Sequence, residues 1–154
     1  MPDPVLRFQY PGIEGDDGRE DNGKKHFYLF KTDRAVSEIQ IFDPGAHVQL
    51  HAHPVEDGVW IVLSGKFTFY GEGDTVYGEL EQYQGLLLPA GTKYWFENTS
   101  DHPAEIMRVD YHVAPEIGAT AEPTRVMDSY GPTRWAPFAD AEHQNRRSGL
   151  SPAR

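Results

Sequence analysis

Gly45-Ala-His-Val-Gln-Leu-His-Ala-His-Pro-Val-Glu-Asp-Gly-Val-Trp-Ile-Val-Leu-Ser-Gly65 is the stretch on which the reading of this chain turns. Three histidines, two carboxylates and an apolar run stand between its two bounding glycines. As an extended strand, Gly45 to His53 puts His47, Gln49, His51 and His53 on one face and Ala46, Val48, Leu50 and Ala52 on the other. His51 and His53 then aim their rings into one space, as a rigid strand does when it presents two nitrogens to a metal ion. Pro54 ends this strand, Glu56 and Asp57 occupy a turn, and Val59 to Leu63 is the next strand. Ser64-Gly65 turns the chain into a further strand, Lys66 to Tyr70.

Strand and turn signals continue outward from this stretch. Upstream, Phe27 to Lys31 and Ala35 to Phe42 read as strands joined by Thr32-Asp33-Arg34. Downstream, Gly71 to Asp74 is a hairpin turn and Thr75 to Gln82 a strand. Leu86 to Leu88 is short and wholly apolar, as a strand buried on both sides should be. Lys93 to Glu97 and a long last strand, Ala104 to Val113, complete the set. About nine short strands with no helical periodicity imply an all-β fold, an antiparallel barrel or sandwich. The expected organisation is an irregular N-terminal arm over 1–26, the barrel over 27–113 and a C-terminal arm or tail over 114–154. Tyr130, Trp135 and Phe138 predict that the tail is ordered against the barrel or a partner subunit to about residue 138.

The central stretch resembles the first sequence motif of the cupin superfamily, G-x5-H-x-H-x(3,4)-E-x6-G, through Gly45, His51, His53 and Gly65. The second cupin motif, G-x5-P-x-G-x2-H-x3-N, is similar to Pro89, Gly91 and Asn98, with Tyr83 at its first position. The resemblance covers 27–113 and implies a jelly-roll, or double-stranded β-helix, barrel. It also implies a metal held by two histidines and a glutamate of the first motif and a histidine of the second. This chain has Gly58 at the glutamate position and Tyr94 at the second-motif histidine position, so His51 and His53 alone match. Family members are frequently dimers, and a homodimer is expected here, with a partner or the N-terminal strand covering Val48 and Leu50.

Composition excludes several classes. The formal charge of −10 argues against nucleic acid and anionic membrane surfaces as partners. The chain has no cysteine, so disulfides and thiolate metal sites are ruled out. A mean hydropathy of −0.61, with no apolar run of spanning length, describes a soluble chain. Met1 to Tyr10 lacks the pattern of an export signal, which makes the cytoplasm the expected compartment.

The candidate metal ligands are His51, His53 and Asp57, the last swinging inward at a bulge beside Gly58; the other reading leaves Asp57 and Glu56 in a solvated turn. The metal is one divalent transition ion: iron, zinc, nickel, manganese or copper. Tyr94 is the candidate catalytic residue. It either ligates as phenolate or donates a proton to substrate, and its structural alternative is a buried core tyrosine. His47, Gln49, Trp60 and Phe96 line the expected substrate pocket. On the last strand, Arg108 and His112 reach that cavity if their face points inward; the apolar rule prefers Met107, Val109, Tyr111 and Val113 there, which would keep them out. The function expected is a metal-dependent enzyme of the dioxygenase, isomerase, lyase or cyclase type acting on a small organic substrate. The alternative is a metal-free cupin that binds or senses a small ligand; an epimerase acting on a sugar nucleotide lacks the basic cluster a diphosphate needs.

Overall fold

The computed structural model describes residues 5–15 and 18–113; the expected arm beyond 113 lies outside them. Eight strands carry the fold: β1 Lys24–Lys31, β2 Ala35–Phe42, β3 Glu56–Ser64, β4 Phe67–Tyr70, β5 Val76–Leu80, β6 Gly85–Leu88, β7 Trp95–Asn98 and β8 Ala104–His112. All pairings among them are antiparallel. They form one sheet of order β1-β2-β8-β3-β6 and a smaller one of order β5-β4-β7. Among the described residues there is no α-helix, and no helix is long and apolar enough to cross a membrane.

The two sheets close on an aromatic core. Phe42, Trp60, Val62 and Ile106 face inward from the larger sheet and meet Phe67 and Phe69 of β4 and Phe96 of β7, each at most 2 % exposed. Phe69 and Phe96 stack at 4.5 Å, and Trp60 meets Phe96 edge-on at 4.8 Å. Each such burial contributes about 1.5–3 kcal/mol, and each well-oriented ring pair about 0.5–1.5 kcal/mol more.

β2 is buried on both faces over 37–42. Glu38, Gln40 and Phe42 point into the barrel. Ser37, Ile39 and Ile41 point outward, where β1 pairs Phe27 with Ile39 and Phe30 with Ser37. The N-terminal arm covers that outer face: Phe8 packs on Phe30 at 5.8 Å and Tyr10 on Phe27 at 5.4 Å.

Two motif positions have structural tasks. Gly65 turns β3 into β4 at φ +80, and a Cβ there would lie 2.3 Å from the Ala104 Cβ, so only glycine fits. Asn98 ties the loop after β7 to the end of β2. Its Nδ2 donates to the carbonyls of Phe42 and His102, both at 2.9 Å, and its Oδ1 accepts from Ser100 N–H at 2.8 Å.

Two expectations are corrected. Glu56 and Asp57 open β3 instead of lying in a turn. The segment 45–53 is not a regular strand. It runs beside β7 and joins it by isolated bridges, His47 with Glu97 and His51 with Tyr94.

Candidate functional site

The bridges in that segment span one residue more on the histidine side than on the β7 side. Val48 N–H reaches Phe96 O and His51 N–H reaches Tyr94 O, both at 3.0 Å. This bulge slips the alternation by one. Ala46 and Val48 therefore pack into the core, while His47 turns to the other face of β7 and meets Trp95 edge-on at 6.3 Å. Beyond the bulge, His51 and His53 point inward, their rings perpendicular at 4.9 Å. His51 lies 4.4 Å and His53 6.2 Å from the Tyr94 ring.

β3 and β8 supply the floor. Their register pairs Gly58 with Asp110, Trp60 with Arg108 and Val62 with Ile106, so Arg108 and Asp110 face the interior. This reverses the expectation for the last strand. Both faces of β8 are largely covered, so the apolar rule does not choose between them. The Arg108 guanidinium lies 5.3 Å over the Trp60 ring, a cation–π contact. It is ion-paired to Asp110, donates to Glu38 Oε1 at 3.4 Å and approaches His53 Nε2 at 3.4 Å.

Glu38 is the hub on β2. It accepts from Gln40 and from His26 Nδ1, the latter at 3.2 Å. Burial opposes its ionisation, but those hydrogen bonds and the charges of His26 and Arg108 outweigh burial and hold its carboxyl below the ordinary value. For Tyr94 burial dominates: with Glu38 and Glu56 adding to it and Arg108 opposing, the phenol is pushed up to about 12. It is therefore a proton-bearing donor at neutral pH.

Tautomers follow from the partners. His51 Nδ1 lies 2.6 Å from the Gln49 carbonyl, which can only accept, so the neutral ring carries its lone pair on Nε2. A guanidinium can only donate, so the His53 Nε2 lone pair is directed at Arg108, and its Nδ1 faces Glu56 Oε1 at 3.8 Å.

Of the residues expected at the site, His51, His53, Tyr94 and Trp60 come together. Phe96 lies one layer deeper, fully buried in the core. Asp57 faces away from Gly58 and Trp60, and its Oδ1 accepts the Ala90 N–H at 2.9 Å, pinning the Pro89-Ala90-Gly91 turn. Gln49 contributes its backbone carbonyl to His51. Glu38 and Asp110 were not anticipated there, and Arg108 was expected there only if its face of the last strand turned inward. Their one signal is charged residues alternating with apolar ones on two strands that lie side by side.

Two spaces adjoin these side chains. A void of about 10 Å³ is bounded by His53, Glu56, Gly58, Trp60, Thr92, Tyr94 and Asp110, among others. A cleft of about 760 Å³ extends over β1, β2 and β8, reaching Tyr28, Glu38, Glu56, Arg108, Asp110 and His112.

The cupin domain family model matches residues 38–110. Residues 38–110 form a cupin domain. No curated protein matches its sequence. Solved structures share the fold. The RmlC-like cupin protein from Desulfovibrio desulfuricans has a TM-score of 0.59 at 17 % identity, over 69 % of this chain and 97 % of that one. KdgF from Halomonas sp. has a TM-score of 0.60 at 16 % identity, over 74 % and 99 %. A sugar phosphate isomerase of the cupin superfamily from Silicibacter pomeroyi has a TM-score of 0.54 at 19 % identity, over 64 % and 68 %. At these identities the likeness is one of fold.

The metal that cupins often hold does not fit the side chains of this cupin as they stand. Among the described residues no three histidine or acidic side chains converge to hold an ion. The position of the family glutamate is Gly58, and the second-motif position carries a buried phenol in place of an imidazole. The His53 Nε2 lone pair already faces a guanidinium, whose charge would repel a metal ion there.

Proposed function

We propose that this cupin binds a small organic molecule in the cleft over β1, β2 and β8, with the inner end of the molecule at the void beside Gly58, Trp60 and Tyr94. One observation carries the reading: Glu56 and Asp110 border both spaces, so a ligand in the cleft reaches the histidine and tyrosine cluster. Arg108 is the cation on the floor of this site, and Lys31 lines the cleft as well. Glu38 and Asp110 balance the Arg108 charge, which leaves the floor suited to a ligand of little net charge. Tyr94 offers a hydroxyl to donate, Glu56 a carboxylate to accept, and Tyr28, 66 % exposed at the rim, a flat apolar face.

The test is a fragment screen on the isotope-labelled full chain by NMR. Hits are expected to move the amides of Tyr28, Glu38 and Arg108 together, and Arg108→Met is expected to weaken them about tenfold or more, as loss of a charged hydrogen-bond donor does. Hits confined to the outer face of β4, around Thr68 and Tyr70, reject the reading.

The second reading is a metal-dependent enzyme of the dioxygenase, isomerase, lyase or cyclase type. What favours it is the convergence of His51 and His53 and the lone pair on His51 Nε2. It requires Arg108 to withdraw from His53. Elemental analysis of protein purified without a histidine tag separates the two. One bound transition metal per chain, lost in both His51→Ala and His53→Ala, supports the enzyme; metal-free protein rejects it.

A further inference from the structure

Gly58 stands where the cupin motif places a glutamate, and the space it leaves has chemically defined walls. An ideal Cβ at Gly58 would lie 3.0 Å from Asp110 Oδ1 and 3.5 Å from Trp60 Nε1. Trp60 is 2 % exposed, and its indole N–H has no hydrogen-bond partner among the described residues. Thr92, 3 % exposed, lines the same void, and its Oγ1 also lacks a partner there. Two buried polar side chains unpaired beside one void are costly unless an occupant satisfies them.

The walls select the occupant. The indole N–H only donates and the Asp110 carboxylate only accepts, while the Thr92 hydroxyl does either. The void, about 10 Å³, has room for one water-sized group. An ammonium group has no lone pair for the indole. A carboxylate has no proton for Asp110 and is repelled by it. A single oxygen that both donates and accepts satisfies all three walls.

We infer that the notch over Gly58 is a subsite for one uncharged hydroxyl group, and that the ligand of this cupin is a small alcohol or polyol. The inference rests on the cleft reading above and adds the group the ligand must carry. The hydroxyl accepts from Trp60 Nε1–H, donates to Asp110 and displaces one water, while the rest of the molecule lies in the cleft.

The experiment follows the Trp60 indole N–H signal of the labelled full chain by NMR, assigned through Trp60→Phe. Cyclohexanol is the probe, with cyclohexylamine and cyclohexanecarboxylate as charged counterparts on the same ring. Cyclohexanol is expected to move the Trp60 signal, and each charged probe to bind about tenfold more weakly or worse, the scale of one lost hydrogen bond in a buried site. Gly58→Ala fills the notch with a methyl group and is expected to abolish the Trp60 shift. Thr92→Val, similar in shape without the hydroxyl, is expected to weaken cyclohexanol by several-fold and covers the case in which Gly58→Ala does not fold. Cyclohexanol that moves the cleft amides but not Trp60, and is indifferent to both variants, overturns the subsite and leaves the cleft reading standing. A charged probe that binds as tightly overturns the hydroxyl assignment. If no probe moves any cleft amide, the cleft reading falls and the subsite with it.

Discussion

Burial outweighs charge at Tyr94, and this can be measured. A phenol pushed up from 10.0 to about 12 contributes stability that is fully present below pH 10 and is lost as pH rises toward 12, because the unfolded chain ionises first. Tyr94→Phe is therefore expected to fold with a change of no more than about 1 kcal/mol at neutral pH. Its urea midpoint should fall less steeply than that of the wild type between pH 10 and 12. Equal slopes would mean that the phenol is not held protonated. Asp57 gives the opposite expectation to its sequence reading as a ligand. Asp57→Ala strands the buried Ala90 N–H and should cost about 1.5–3 kcal/mol by urea denaturation. Binding of cyclohexanol at the Gly58 notch should survive wherever the variant folds. The direction of Tyr94 was legible, since a strand sets it. The bond of Asp57 was not, since Ala90 is distant in sequence and lies in the loop after β6.

Single residues at the element ends decide where whole strands point. The one-residue bulge between Val48 and His51 lets one segment offer apolar side chains to the core at one end and histidines at the other. Strict alternation had put His47 and His51 on one face; the bulge separates them. Gly65 does comparable work between β3 and β4. Gly65→Ala imposes a positive φ on a residue with a side chain and drives its methyl against Ala104. The two effects, each of order 1–3 kcal/mol, predict a loss of about 2–6 kcal/mol in chemical denaturation. A loss below about 1 kcal/mol would mean that the turn relaxes.

Part of the acid response of the whole molecule is expected to run through the Glu38 network, which ties β1, β2 and β8 together below the cleft. A carboxyl held below its ordinary 4.5 contributes stability that is present above pH 4.5 and is lost as pH falls through the folded value. Glu38→Gln is expected to cost about 1.5–3 kcal/mol at neutral pH, the scale of hydrogen bonds to a charged group. It should also lose less than the wild type on acidification below pH 4.5, as followed by thermal unfolding across a pH series. Parallel acid limbs for the two proteins would show that Glu38 is not the group responsible. The same network gives the cleft floor its fixed charges, so this variant should also weaken any ligand seated on Arg108.

The sequence by itself determined the β architecture, the order of its strands and the convergence of His51, His53 and Tyr94. These depend on local period, turn chemistry and two motifs whose glycine and asparagine positions have backbone tasks. Tertiary structure alone decided which face of β8 turns inward, and with it that Arg108 rather than an added ligand stands beside His53. With both faces of a strand covered, alternation names two sets of residues but cannot say which is inside. That choice belongs to the partners across the sheet: Trp60, which stacks under Arg108, and Gly58, whose missing side chain leaves room for Asp110.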